Sequence, residues 1–305
     1  MDIACSGILV VNKHAGVTSH DIVNKVRRLY KTKQVGHTGT LDPMATGVLP
    51  VLVGRAVKAS DYLTAENKRY RALLRLGTET DTEDITGRVT AESDTIPTEE
   101  AVREIAGSFV GDILQTPPMY SAIKVGGRKL VDIAREGGAV EREPRRVTVY
   151  SIKVTRVNGR DYELDVSCSK GTYIRTLCAD IGRKLGCGGV MASLERTESG
   201  PFQLADAVGV EELENMTDAE RVAKLIPLEL FFSDLPEVVL PDFYARLSRN
   251  GAEIYLSKIK AGLPLGQKVR LKHDGEFYGL GEVREYPGGN AIRTVKLLVL
   301  PERKD

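Results

Sequence analysis

The sequence predicts an α+β fold: a mixed, mainly antiparallel sheet flanked by helices, with a small C-terminal β-barrel. Three features carry that reading. DYELDVSC at 161–168 alternates cleanly, with Tyr162, Leu164, Val166 and Cys168 on one face, which marks a half-buried, antiparallel strand. Two segments repeat with helical spacing, one at 20–31 and one at 172–185. VRLKHDGEFYGLGEV at 269–283 is a β-hairpin with Asp274–Gly275 in its turn.

The remaining elements follow in order. Ile8 to Val11 reads as a short buried strand. Thr18 or Ser19 caps the helix at 20–31, whose apolar face holds Ile22, Val23, Val26, Leu29 and Tyr30. Residues 36–50 form a loop, 70–76 a strand, and 78–87 a polar, turn-rich loop. Pro97 and Thr98 open a helix with Val102, Ile105 and Phe109 inward. Residues 112–147 hold paired prolines and glycines and many basic residues; they read as a long excursion with a short helix near 129–136. The 172–185 helix carries Ile174, Leu177, Cys178, Ile181 and Leu185 on one stripe and ends at Gly186. Pro236 and Pro241 mark a linker, and AIRTVKLLVL at 291–300 completes the barrel with the hairpin. Two domains are expected, 1–232 and 233–305.

Composition excludes more than it assigns. The chain has 305 residues, 42% hydrophobic and 28% charged, ordinary for a globular protein. With 43 basic and 42 acidic residues the net charge is +1, so a nucleic-acid surface must be built locally. No apolar run reaches the roughly 20 residues of a membrane span, and Gly7 to Val11 lacks the flanks of a signal peptide. Cys5, Cys168, Cys178 and Cys187 form no C-x-x-C pair and have no nearby histidines, so reduced thiols in a cytoplasmic protein are expected and a metal site is not. No P-loop or dinucleotide fingerprint is present, and no cofactor is expected.

The chemistry concentrates in GHTGTLDPMATGVLP at 36–50. Asp42 stands between Leu41 and Pro43 in a run with three glycines and two prolines. Proline restricts the residue before it, and glycine lets the chain turn tightly around it. A carboxylate fixed on such a loop suits nucleophilic or general-base work. Alone, an aspartate before proline is a turn residue.

That run resembles the catalytic signature of the bacterial tRNA pseudouridine synthases of the B type. KRYRALLRLGTETDTEDITG at 68–87 and CSKGTYIRTLCADIGRKLGCGG at 168–189 fit the same family in the same order. The resemblance implies the strand order of the sheet and a C-terminal RNA-binding domain of the PUA type. It implies isomerisation of uridine to pseudouridine at position 55, in the T-loop of tRNA. The bond between ribose and uracil N1 of a flipped nucleotide is cleaved, the base rotates, and it is rejoined through C5. Asp42 matches the essential nucleophile. It can attack the sugar as a retaining glycosidase does, assist departure of uracil, or add to the base.

Further roles are implied residue by residue. Arg175 would pair with Asp42 and keep it ionised. Tyr70 would stack on the target base and handle the C5 proton. Tyr173 and Leu194 would line the uridine pocket, and His37 would take the place of the flipped nucleotide or hold its backbone. The start of the 172–185 helix could offer N–H groups to a phosphate. RNA contacts are expected from Lys124, Arg128, Lys129, Arg142, Arg145 and Arg146 in the excursion, which would form a thumb over the T-loop, and more weakly from Lys13. The chain departs from the pattern at His14, where proline is common, and at Val131, where tyrosine is frequent. The expected partner of this monomer is the T-arm of tRNA. Two other classes fit the residues: a tRNA-binding or folding module with dispensable catalysis, and a nucleoside-bond hydrolase. Mass separates the last, because isomerisation leaves RNA mass unchanged and hydrolysis loses the base.

Overall fold

Alternate residues of the first and third strands enter two different cores, and this places the site. A computed structural model describes residues 6–298. The chain begins with β1 (Gly7–Lys13), α1 (Ser19–Leu29), β2 (Val35–His37) and β3 (Thr46–Val53). Leu9, Val11, Leu49, Val51 and Val53 face one core, with Ile22, Val23 and Val26 of α1. Ile8, Val10, Val48 and Leu52 face the other. Strands buried on both faces read as continuous apolar runs, not as alternation. That is why GVLPVLV looked like loop in the sequence while it forms β3. Pro50 is tolerated there because a residue's N–H and C=O leave a strand on the same edge. Its carbonyl accepts from Thr38 N–H just past the end of β2, so the missing N–H faces that end and leaves the β1–β3 ladder intact.

Next come α2 (Ser60–Thr64), β4 (Lys68–Leu76), the β5–β6 hairpin (Thr78–Thr80, Val89–Glu92), α3 (Glu99–Gly107) and β7 (Gly111–Gln115). A small hairpin, β8 (Lys124–Val125) and β9 (Arg128–Lys129), leads into α4 (Leu130–Arg135). β10 (Arg145–Arg156), β11 (Asp161–Cys168), α5 (Ile174–Leu185) and β12 (Gly189–Ser199) follow. β13 (Phe202–Gln203), β14 (Val208–Gly209), α6 (Val210–Asn215), α7 (Asp218–Ala223) and α8 (Leu228–Phe231) close this part. Its ten-stranded sheet runs β14-β1-β3-β12-β4-β11-β10-β7, with β2 added to β3 and β13 to β12. All of its pairings are antiparallel except β1 with β14 and β3 with β12. The fold is therefore the mixed, mainly antiparallel α+β arrangement that the sequence predicts.

The excursion is shorter than expected. Gly111–Gln115 pairs with Arg145–Val149, so strands take both ends of the 112–147 segment and leave 116–144 outside the sheet. β10 and β12 were not anticipated as strands either.

Local signals explain the helix ends. Thr18, not Ser19, caps α1, in a capping box with Asp21. Gly186 ends α5 with φ of 76°. Cys168, Cys178 and Cys187 are buried free thiols; burial pushes the first up to about 11 and the second to about 12. Cys5 and the last two positions of the 291–300 strand lie outside the described residues.

The C-terminal part contains β15 (Glu237–Val239), α9 (Asp242–Arg249), β16 (Ile254–Tyr255), α10 (Leu256–Ile259), β17 (Lys268–His273), β18 (Glu276–Tyr286) and β19 (Gly289–Leu297). Asp274 and Gly275 both have positive φ, which a type I′ hairpin turn requires. The five strands form a sheet of order β15-β17-β18-β19-β16 with its own core around Val269, Leu271 and Ile292. Phe277, Leu280 and Leu298 also pack with Ile8, Val48 and Leu52, so this small sheet seals the second face of the large one.

α5 approaches the start of β12 so closely that a Cβ on Gly182 would lie 2.2 Å from Gly189 N. Gly182→Ala should push the helix away and cost about 1–3 kcal/mol by overpacking. Urea unfolding of the variant checks this.

Candidate active site

Three contacts hold the Asp42 loop before any substrate is considered. Ser19, at the start of α1, bonds both backbone groups of Leu41: its Oγ accepts from Leu41 N–H at 2.8 Å and donates to Leu41 O at 3.1 Å. Lys13, at the end of β1, donates to His14 O (3.0 Å), Pro43 O (3.2 Å) and Ala45 O (2.6 Å). An ammonium has three donors, and all are used. Arg196, on β12, donates to Val48 O at 2.7 Å and Gly39 O at 3.1 Å. The glycines suit this clamp. Gly47 has φ of +101°, and a Cβ there would lie 2.2 Å from Arg196 O.

Lys13 therefore does not lie at an RNA surface, as the sequence suggested. It is fully buried beneath the loop. Burial lowers its pKa to about 8, against the opposing pull of Asp42. Sequence could not distinguish these places, because a lysine at a strand end is usually solvated.

The Asp42 carboxylate meets Arg175 in a two-pronged ion pair. Arg175 Nε lies 2.9 Å from Oδ2, and Nη2 donates to Oδ1 at 3.2 Å. Arg175 is buried, whereas the Asp42 side chain keeps 32% of its surface exposed. Burial pushes the Asp42 pKa up, Arg175 pulls it down, and Asp84 adds to the rise. The guanidinium has further partners. Nη2 donates to Tyr120 O at 2.8 Å and Nη1 to Thr82 O at 3.2 Å. Nη1 also lies 3.6 Å from Asp84 Oδ2.

Asp84 was missed in the sequence. It is buried, and its Oδ1 accepts from Thr82 Oγ1 (2.9 Å), Thr86 N–H (3.0 Å) and Thr86 Oγ1 (2.5 Å). The signal was present as the Asp and Thr repetition of TETDTEDIT, which resembles an ordinary turn. Gln115 was also missed. Its amide accepts from Tyr173 N–H at 2.7 Å and donates to Tyr173 O at 3.0 Å, which fixes the start of α5 and so Arg175.

The other expected residues separate into two groups. Tyr70 is buried on β4, opposite Arg196 of β12 and Val166 of β11. Burial raises its pKa, and Arg196 opposes that rise. Leu194 is buried opposite Ala72, in the same core as Tyr70. Tyr173 is half-buried and directly precedes α5. His37, at the end of β2, accepts from Gly39 N–H through Nδ1 at 3.3 Å. Burial, then Arg196, lowers its pKa, so it is neutral near pH 7. Tyr70 and Leu194 thus sit in the core shared with Leu41, next to Asp42, while Tyr173 directly precedes the helix that carries Arg175.

Lys124, Arg128, Lys129, Arg145 and Arg146 are exposed. Arg128 pairs with Glu136 at 2.6 Å, and Arg146 lies 3.9 Å from Asp112. Arg142 is half-buried and donates to Pro117 O at 2.9 Å, so it helps to fold the excursion. His14 is exposed with its ring on Ala15 O at 2.8 Å, and Val131 N–H donates to Ser121 O at 3.1 Å. Tyr120 O is the point where the excursion touches the Asp42–Arg175 pair. Among the described residues no helix is long and apolar enough to cross a membrane.

Comparison with known proteins places the chain among relatives along nearly its whole length. Residues 27–174 match the N-terminal domain of the TruB family pseudouridylate synthases, and residues 175–241 match the C-terminal domain of tRNA pseudouridylate synthase B. The tRNA pseudouridine synthase B of Alkaliphilus oremlandii is 44% identical over 296 residues, 96% of this chain and 98% of that protein. The Clostridium tetani enzyme of the same name is 41% identical over 96% of this chain and 100% of its own length. A chain in the crystal structure of a Cbf5-Nop10-Gar1 complex superposes with a TM-score of 0.70 at 27% identity, covering 96% of this chain and 85% of that one. A second, in a structure of an H/ACA RNP bound to a substrate RNA containing 2'-deoxyuridine, has a TM-score of 0.68 at 26% identity, covering 97% and 86%. With two family models spanning the site and relatives aligned over nearly its whole length, this chain belongs to the TruB family of pseudouridylate synthases.

Proposed function

We propose that the chain isomerises uridine to pseudouridine at position 55, in the T-loop of tRNA, with Asp42 as the essential carboxylate. The observation that carries the reading is the two-pronged Arg175–Asp42 pair, which leaves the carboxylate partly open while its partner is buried. The tRNA substrate is supported by the names of the relatives. The family-model match at 27–174 runs through the Asp42 loop and β4 to the start of α5.

The chemistry demands little besides placement. The N1–C1′ bond is broken, uracil turns, and C5 bonds to C1′. A proton leaves C5 and one is gained at N1, so mass is unchanged. The nucleotide must leave its stack, at a cost of a few kcal/mol. Tyr70 supplies an aromatic face that returns about 1–3 kcal/mol of it, with Tyr173 and Leu194 around the base. His37 fills the space that the nucleotide leaves. An ionised Asp42 acts at the sugar–uracil linkage, and Arg175 keeps it ionised. The excursion at 116–144 closes over the T-arm as a thumb, and the C-terminal sheet adds RNA contacts in the manner of a PUA domain. The enzyme works as a monomer in the cytoplasm.

The primary test uses an unmodified tRNA transcript with tritium at C5 of uridine. The wild-type protein should release tritium at one site and leave RNA mass unchanged. Asp42→Asn should bind the transcript and release none. Normal release by that variant removes Asp42 from the role, and loss of the base would indicate a hydrolase.

Arg175→Met should lower turnover by about a hundredfold or more, as removal of a charged partner from a reacting group does. Arg175 lowers the Asp42 pKa, so its loss raises that pKa further. The acid limb of the pH–rate profile should accordingly move to higher pH. A profile that keeps its position sinks the electrostatic account.

Binding should weaken linearly in log–log form as salt rises. Lys124→Ala and Lys129→Ala together should reduce the slope by about 1–2. Filter binding across a salt series measures it.

A further inference from the structure

Gln115 is the last residue of β7, the edge strand of the large sheet, and the excursion starts beyond it. It is 2% exposed, and a buried amide is costly unless its polar groups are paired. Both ends of the amide go to one residue. Oε1 accepts from Tyr173 N–H at 2.7 Å, and Nε2 donates to Tyr173 O at 3.0 Å. Tyr173 is the N-cap of α5, and its own side chain makes no capping bond there. The distant amide supplies the anchor instead. Tyr173 O also accepts from Leu177 N–H at 3.0 Å. The first turn of α5, which carries Arg175, is thereby hung on the end of β7.

The same short segment reaches α5 a second time. Farther along it, Tyr120 O accepts from Arg175 Nη2 at 2.8 Å. Pro117 and Pro118 lie between, each with φ fixed by its ring. Pro117 O is held in turn by Arg142 Nη1 at 2.9 Å, from the far side of the excursion. Residues 115–120 thus form a stiff bracket. One end sits on the Tyr173 backbone and the other on the Arg175 guanidinium, the group that grips Asp42.

We propose that Gln115 is a positioning residue of the reaction: it fixes the first turn of α5 and, with Tyr120, sets the Arg175 guanidinium against Asp42. This deepens the functional reading above and rests on it. The excursion is therefore fastened at its root to the reacting pair. An uncharged amide places a donor and an acceptor side by side on one planar end. Asparagine has the amide but is one CH₂ shorter, and methionine matches the length without either strong group. The charged groups that face Asp42 are Arg175 on α5, Asp84 on the β5–β6 hairpin and Lys13 on β1. Of these, Arg175 is the one on the element that Gln115 holds.

Single-turnover conversion of a tRNA transcript across a pH series tests the proposal. The proteins are wild type, Gln115→Met, Arg175→Met and the double variant. Gln115→Met should slow conversion about tenfold or more, as a small displacement of a reacting group does. The tRNA affinity should stay within about twofold of wild type, because phosphate contacts dominate it. A loosened Arg175 lowers the Asp42 pKa less, so the acid limb should move to higher pH, part of the way to that of Arg175→Met. In the Arg175→Met background the same change should move the limb no further, because the group it acts through is gone. A role in stability alone would lower the melting temperature and leave the limb at its wild-type position. That result overturns the proposal, as do a wild-type rate for Gln115→Met and an equal shift of the limb in both backgrounds. If Gln115→Met does not fold, Gln115→Asn, whose amide is too short to span both groups, takes its place with the same expected outcomes. A wild-type protein that converts no uridine overturns the functional reading instead.

Discussion

Four separate pieces of chain meet at one guanidinium. Arg175 of α5 binds the Asp42 loop, Thr82 and Asp84 of the β5–β6 hairpin, and Tyr120 of the excursion. A buried charge demands such partners, and leaving one out would cost several kcal/mol. The site and the fold are therefore not independent. The contact that orients the Asp42 carboxylate is also the contact that fastens the hairpin and the excursion to the sheet.

Beneath it, the loop is held by charge against dipole. Lys13 and Arg196 spend their donors on backbone carbonyls, not on carboxylates. This arrangement keeps the Lys13 cation near Asp42 without consuming its oxygens, which stay available to Arg175 and to the open side. It also removes slack from the loop, because carbonyls on both sides of Asp42 are bonded. Reaction at a sugar–base bond requires placement within a fraction of an ångström. A loop pinned at Leu41, Pro43, Ala45 and Val48 meets that requirement with backbone atoms alone.

Legibility in the sequence followed the range of the interactions. Periodicity marked β11 and the stripe of α5, and the Asp–Gly pair marked the β17–β18 turn, because each is decided by neighbours within a few residues. β3 escaped because it is buried on both faces and carries Pro50, so neither alternation nor propensity marked it. The ends of the excursion escaped because β7 and β10 become strands only by pairing with each other. Lys13 was assigned to the surface because burial of a lysine depends on three carbonyls that the loop brings to it.

The sequence by itself marked the glycine- and proline-rich stretch at 36–50 with its aspartate, the aromatic and basic residues proposed to act with it, and the α+β class. Those rest on residue chemistry and on local spacing. Only the tertiary structure decided which cations reach the aspartate and which merely support it, that Asp84 is a second partner of Arg175, and that Tyr70 stands opposite Arg196. The reason is physical: strand register and the folding of a loop bring together groups more than a hundred residues apart, as Arg175 and Asp42 are at a separation of 133 positions, and no short-range pattern records a contact of that kind.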